Sequence, residues 1–175
     1  MDATAMRRAI RRLAHEIIER APDLQRLALV GVRTRGVPLA RRLQALIAEA
    51  EGVSPPVGEL DITLYRDDVF DGLAIPEVRP TLLPFEVQGR AIVLVDDVLF
   101  TGRTTRAALD AVMDWGRPEH VRLAVLVDRG HRELPLHADF VGLTLETTRD
   151  ESVRVRLVET DGEDRVDVRG REGAW

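Results

Sequence analysis

The chain has 175 residues, 45% of them hydrophobic and 31% charged, a length that suits one domain (residues 1–175) with a sizeable core. All 25 basic residues are arginine; the absence of lysine and cysteine excludes Schiff-base chemistry, a lysine-bearing phosphate loop, thiol catalysis, disulfides and cysteine-bound zinc. The net charge of −5 divides into +5 over residues 1–50 and −10 over residues 51–175, which argues against non-specific nucleic-acid binding but leaves a basic N-terminal face.

In chain order, Thr4 is a candidate cap for a helix running to Arg20 and stopped by Pro22, with Met6, Ala9, Ile10, Leu13 and Ile17 on one apolar face. Residues 27–32 read as a short buried strand. Gly36 and Pro38 open a second helix over residues 39–50, closed by Gly52. Residues 57–64 alternate as a strand with Leu60, Ile62 and Leu64 on one face, and residues 66–88 form a long aperiodic segment of the kind that is often functional. Residues 91–95 are a β-branched buried strand ending on Asp96 and Asp97. A loop leads into a helix over residues 103–115, and residues 121–127 form another buried strand that ends on a charged loop. A short strand at 140–143 and a hairpin of 153–158 with 165–169 around Asp161-Gly162 complete the reading. Strands alternating with helices predict an α/β fold with a mainly parallel central sheet flanked by helices. No apolar run approaches the ~20 residues of a membrane span, and residues 1–19 lack a signal-peptide core, so a cytoplasmic protein without membrane partners is expected.

Ligands of open α/β sheets sit beyond the carboxyl ends of the strands, which directs attention to loops 31–36, 96–105 and 128–132. In residues 101–105 a glycine permits close backbone approach, three threonines offer hydroxyls, and a helix begins, so free N–H groups and the helix dipole favour an anion. That is a phosphate cradle built without lysine; a helix cap with spare threonines would look the same. Asp96 and Asp97 should point to different sides because strand side chains alternate. They are thus poorly placed to share one proton but suited to hydroxyl groups, a magnesium shell or a developing cation.

The run VLVDDVLFTGRTT (Val93 to Thr105) closely resembles the phosphoribosyl-pyrophosphate (PRPP) signature of type I phosphoribosyltransferases. The segments GVRTRG from Gly31, DITLYRDD from Asp61 and VDRGHRELP from Val127, with Arg7-Arg8-Ala9 and Ala14-His15-Glu16, are similar to the PyrR family within that class. These are bifunctional uracil phosphoribosyltransferases and pyrimidine-operon RNA attenuation regulators. The resemblance spans residues 6–145; the tail beyond Leu145 has no recognisable counterpart.

The resemblance implies the type I phosphoribosyltransferase fold with a small hood and a mobile flap. It implies conversion of uracil and PRPP to UMP and pyrophosphate, with Mg²⁺ held mostly through substrate rather than a protein cage. Thr101, Gly102, Arg103, Thr104 and Thr105, with Val98, would hold the 5′-phosphate, and Asp96 and Asp97 would meet the ribose. The loop from Arg33 through Thr34 and Arg35 to Gly36 would hold pyrophosphate, Gly36 by close backbone approach and Arg35 by charge. Arg129 would contact base or phosphate. Tyr65 and Arg66 would begin the flap, and Arg66 or Arg79 would stand in for the flap lysine of some related transferases. Independently, Arg7, Arg8, Arg11, Arg12 and His15 fall within an arc of about 140° on the first helix. A solvated helix face would look the same; the resemblance makes it an RNA-facing surface, with His131 and Arg132, and Arg41 and Arg42, as extensions. The implied partners are PRPP, uracil, UMP or UTP, pyrimidine-operon leader mRNA and further copies of the chain, as a dimer or larger assembly. Alternatives are a nucleotide-sensing RNA-binding protein with negligible catalysis and a purine phosphoribosyltransferase.

Overall fold

The computed structural model describes residues 1–67 and 79–170. Asp68 and the remainder of the segment to residue 78, where the flap is expected, lie outside the described residues. Five parallel strands form the central sheet in the order β2-β1-β3-β4-β5: β1 (Leu27–Val32), β2 (Val57–Leu60), β3 (Ala91–Leu99), β4 (His120–Asp128) and β5 (Phe140–Thr144). Helices α1 (Ala3–Arg20) and α2 (Gly36–Glu51) cover one face and α3 (Arg103–Met113) the other. The strand pattern explains the layering. In β1, Leu27 and Leu29 join the α1–α2 core, while Ala28, Val30 and Val32 join the α3 core, so a strand buried on both faces needs a continuous apolar run.

Helix α1 buries Met6, Ala9, Ile10, Leu13, Ala14 and Ile17, the stripe that its periodicity predicts. Its cap is Asp2 rather than Thr4: the Asp2 carboxylate accepts the Ala5 N–H at 2.8 Å from an extended backbone. Helix α2 begins at Gly36, a few residues earlier than expected, because Pro38 is tolerated in a first turn whose N–H groups have no intrahelical partner. It closes on Gly52 in the left-handed region, φ 67°.

Strand β2 is shorter than its alternation suggests. Asp61 Oδ1 accepts the Thr63 N–H at 2.7 Å, and this turn opens a 3₁₀ segment over Thr63–Tyr65 that leaves Leu64 68% exposed instead of in line with Leu60 and Ile62. Helix α3 stops at Met113, two residues before Trp115.

The tail forms an antiparallel hairpin of β6 (Ser152–Arg156) and β7 (Arg165–Arg169) in the register Val155↔Val166, joined through a helical turn, α4 (Val158–Asp161), and Gly162 at φ 78°. Val155, Leu157 and Val166 enter the α1–α2 core. The N-terminal ammonium donates to Val166 O at 2.8 Å, and Val166 N–H returns a bond to Met1 O at 2.9 Å. Arg42 of α2 bonds Glu159 and Asp164, so the hairpin is a hood fastened to both the start of the chain and α2.

Candidate active site

The loop after β1 shapes one wall of the crevice. Its Arg33–Thr34 peptide bond is cis. A Cβ on Gly36 would lie 2.2 Å from Val95 O and 3.4 Å from Asp96 Cα, and one on Gly31 would lie 2.5 Å from Val37 Cα. Contact between α2 and β3 is therefore enough by itself to require glycine at position 36. This contact places Arg35 beside Asp97, whose charge acts on it. The Arg35 guanidinium is bound along its Nε–Nη2 edge by Asp161 of the hood, at 3.2 and 2.8 Å. These bonds hold the Asp161 carboxyl far below the ordinary carboxylate range, helped by Thr160 Oγ1 and the Leu157 N–H. Thr34 is exposed at the crevice wall.

Strand β3 does not end before the aspartates but carries them: its pairing with β4 continues through Asp96↔Val125, Val98↔Val127 and Leu99↔Asp128. Asp96 is 8% exposed and Asp97 half-buried. The expectation from alternation fails here. Although β3 stays paired past them, both carboxylates line one crevice and interact directly; Asp97 N–H donates to Asp96 Oδ1 and Val98 N–H to Asp97 Oδ1, both at 2.9 Å. Burial pushes the Asp96 carboxyl well above its usual range, and the Asp97 charge pushes it further. Burial also raises Asp97, opposed by its bond with Asp96 and by the Arg35 charge. The crevice is completed by Arg33, Asp61, Thr63, Arg66, Arg79, Val98 and Thr104. Arg33 donates to Glu59 at 2.6 Å, while its buried Nε has no partner among the described residues.

The expected phosphate cradle adjoins this crevice as a cavity of about 280 Å³ lined by Val98, Thr101, Gly102, Arg103, Thr104 and Thr105, with Arg66 and Asp67 opposite. Gly102, at φ 91°, turns the chain into α3 so that the first N–H groups of the helix face the cavity side. Arg103 lines this cavity, but its side chain is engaged by carboxylates. Its guanidinium pairs with Glu133 at 2.8 Å and Asp67 at 2.9 Å, and Arg106 joins Asp67 at 2.7 Å, so the charge ties the start of the flap to the cradle. Tyr65 is anchored nearby through its hydroxyl, which donates to Asp114 at 2.5 Å.

In the loop after β4, Arg129 is 5% exposed, lies 4.0 Å over the Phe100 ring, and donates to Thr147 Oγ1 and Thr148 O. His131 bonds Thr147 O at 2.5 Å. Arg132 donates to Asp128 and to the carbonyls of Phe100, Gly130 and Leu136, so its donors staple the loop rather than facing outward as an RNA contact requires.

On α1, Arg7, Arg8, Arg11, Arg12 and His15 are all exposed. Arg12 donates to Gly142 O and lies 3.7 Å from Glu16. Arg7, Arg8 and Arg11 line a groove between α1 and α2. Arg42 lines the same groove, but Glu159 and Asp164 neutralise it, as Glu59 does the exposed Arg41.

The site residues that sequence reasoning assigned no role are Asp61, Thr63 and Asp161. The first two stand in a quoted motif; Asp161 lies in the tail, where only its turn-forming Asp-Gly was noticed. Among the described residues no cluster of three or more carboxylates, histidines or cysteines could hold a metal ion. None of the described helices is long and apolar enough to cross a membrane.

The family profile described as phosphoribosyl transferase domain matches residues 2–160. The bifunctional protein PyrR of Thermus thermophilus is 60% identical over 174 residues, covering 99% of this chain and 96% of that protein. The bifunctional protein PyrR of Deinococcus radiodurans is 56% identical over 168 residues, covering 96% and 92%. Both matches take in the tail beyond Leu145. Among solved structures, a purine phosphoribosyltransferase from Pyrococcus horikoshii superposes with a TM-score of 0.62 at 21% identity over 82% of this chain and 84% of that one. A hypoxanthine phosphoribosyltransferase from Trypanosoma cruzi gives 0.65 at 19% identity over 83% and 76%. At such identities these two show the fold alone.

Proposed function

The chain belongs to the phosphoribosyltransferase family and, within it, to the PyrR proteins; from that membership we propose that it transfers the phosphoribosyl group of PRPP to uracil and binds pyrimidine-operon leader mRNA in response to uridine nucleotides. One domain carries both activities. The observation that supports the transfer reading best is the crevice in which the Asp96–Asp97 pair, the cradle at residues 101–105 and Arg35 meet.

In this reading the cradle holds the 5′-phosphate through backbone N–H groups and the hydroxyls of Thr101, Thr104 and Thr105. Asp96 and Asp97 receive the ribose hydroxyls. The C1–O bond to pyrophosphate breaks as a uracil nitrogen bonds C1, the nitrogen loses its proton, and the electron pair leaves with pyrophosphate. Asp97 stabilises the cationic sugar as a carboxylate, and Arg35 meets the departing negative charge. Arg66, which lines both cavities, acts on pyrophosphate from the flap side, with Arg79 on the same wall.

The carboxylates fit an ion shared with substrate rather than one caged by protein: Asp61, Asp96 and Asp97 line the crevice, and Mg²⁺ would be held there largely by ribose and pyrophosphate oxygens. When bound, Mg²⁺ supplies charge neutralisation for the leaving group. For RNA, Arg7, Arg8 and Arg11 provide phosphate contacts and guanidinium faces for stacking on single-stranded bases. Assembly of two copies would present two such helices. UMP or UTP in the crevice would favour the RNA-binding form, and the protein acts in the cytoplasm.

The test combines pyrophosphate release from PRPP and uracil with leader-RNA binding in the presence and absence of UMP. UMP formation and UMP-enhanced RNA binding are expected. RNA binding without any turnover would leave only a nucleotide-sensing regulator, and turnover with hypoxanthine or guanine but not uracil would make the protein a purine enzyme.

A further inference from the structure

Asp161 ties the hood to the crevice. Asp161 accepts from Arg35 Nε and Nη2 at 3.2 and 2.8 Å, while Arg35 Nη1 makes no hydrogen bond among the described residues and Arg35 lines the crevice beside Asp97. Asp161 is itself fixed: its Oδ2 also accepts the Leu157 N–H at 3.1 Å and the Thr160 hydroxyl at 2.7 Å, and its side chain is 13% exposed. The turn that carries it is anchored to α2, because Arg42 grips Glu159 at 2.6 Å and Asp164 at 2.7 Å. Arg35 thus connects a rigid carboxylate on one edge to the crevice on the other.

We propose that Asp161 is a positioning residue for pyrophosphate: it holds the Nε–Nη2 edge of Arg35 so that the Nη1 edge is presented to the leaving group. The proposal rests on the phosphoribosyl-transfer reading above and adds that the tail, far from the signature motif in sequence, sets the geometry of the pyrophosphate loop. The physical reason is entropic. An arginine has several rotatable bonds, and a guanidinium already fixed by a bidentate partner loses little further freedom when a second anion binds its free edge.

The alternative that Asp161 competes with pyrophosphate for Arg35 makes the opposite prediction. If Arg35 had to leave Asp161 before binding, removing the carboxylate would tighten PRPP binding.

The experiment measures equilibrium binding of PRPP and of UMP, with Mg²⁺ present, by titration calorimetry on the full chain, together with KM for PRPP and kcat. For Asp161→Asn, PRPP affinity should fall by about five- to twentyfold, with KM for PRPP rising in parallel. UMP carries no pyrophosphate, so its affinity should stay within about twofold, while kcat at saturating PRPP should fall as well, because Arg35 also meets the charge that develops on the leaving group. Placing Asp161→Asn in an Arg35→Ala background should add nothing further, a readout that also serves if the single variant is poorly folded. Unchanged or tighter PRPP binding overturns the proposal, as does equal loss of PRPP and UMP or an undiminished effect without Arg35. A wild-type protein that binds neither ligand would instead sink the phosphoribosyl reading itself.

Discussion

Gly36→Ala tests how the α2–β3 contact holds the site. The added Cβ would sit 2.2 Å from Val95 O, whereas an ordinary carbon–oxygen contact is about 3.3 Å. Neither partner is a flexible side-chain tip: one is the first turn of α2 and the other the backbone of a central strand. The two must therefore separate by about 1 Å, and overpacking of this kind costs about 1–3 kcal/mol. For a chain of 175 residues that corresponds to a fall in Tm of roughly 3–10 °C. Activity should suffer more than stability. Arg35 immediately precedes Gly36 and Asp96 immediately follows Val95, so the same displacement moves the pyrophosphate loop away from the aspartates. A misplacement of about 1 Å can cost about 10²-fold in turnover. Gly52→Ala is the control: at φ 67° with no atom within 4 Å of the added carbon, it should cost about 1–2 kcal/mol through backbone strain alone and leave turnover intact. The assays are thermal unfolding and pyrophosphate release on both variants. A Gly36→Ala protein with wild-type Tm and turnover would refute the reasoning, and so would a Gly52→Ala protein that loses turnover as severely.

Three further outcomes are expected. Arg66→Ala should lose turnover while retaining UMP binding; unchanged turnover would remove Arg66 from the reaction. Arg8→Glu combined with Arg11→Glu should abolish leader-RNA binding and spare catalysis, and wild-type RNA affinity should fall with salt at a log–log slope near −2 if Arg7, Arg8 and Arg11 each meet a phosphate, since each contact contributes roughly −0.7. RNA binding that survives the double change would place the RNA elsewhere. Arg42→Ala should destabilise the fold by about 1–2 kcal/mol at pH 7, the Glu159 share being reduced by solvent screening. The sign of its pH dependence follows from its partners. Arg42 holds Glu159 below its usual 4.5, and for Asp164, where burial pushes upward, bonds from Arg42 and the Val158 N–H prevail and hold it below 3.8. Their contribution is present above these values and lost as pH falls through the lower folded values. Denaturant melts should therefore show the gap between wild type and variant closing below about pH 4; a gap that is constant with pH would mean that Arg42 acts only through packing.

Much of the fold and site was legible because local rules sufficed. The apolar run of β1, the stripe of α1, and the αL glycine at the end of α2 each express a preference of a few neighbouring residues. The signature at residues 93–105 was legible because strand, carboxylates and cradle are contiguous in the chain. What failed depended on distant partners. Arg103, Arg41 and Arg42 show no partner in sequence, yet each is bound to a carboxylate brought in by the fold, while Arg132 is held by Asp128 of its own loop and by the distant Phe100 carbonyl. The meeting of Asp96 and Asp97 in one crevice was not legible because alternation describes neighbours along a strand and not which carboxylates share the space at its end.

The sequence by itself thus determined the α/β class, the carboxylate pair, the lysine-free cradle and the basic face of α1, all properties of residue type and short-range spacing. Only the tertiary structure decided that Gly36 serves the helix–strand contact, that both aspartates share one crevice, and that the tail reaches Arg35 through Asp161. The reason is that charge pairing and close packing act between atoms adjacent in space, and Arg35 and Asp161 stand 126 residues apart in the chain.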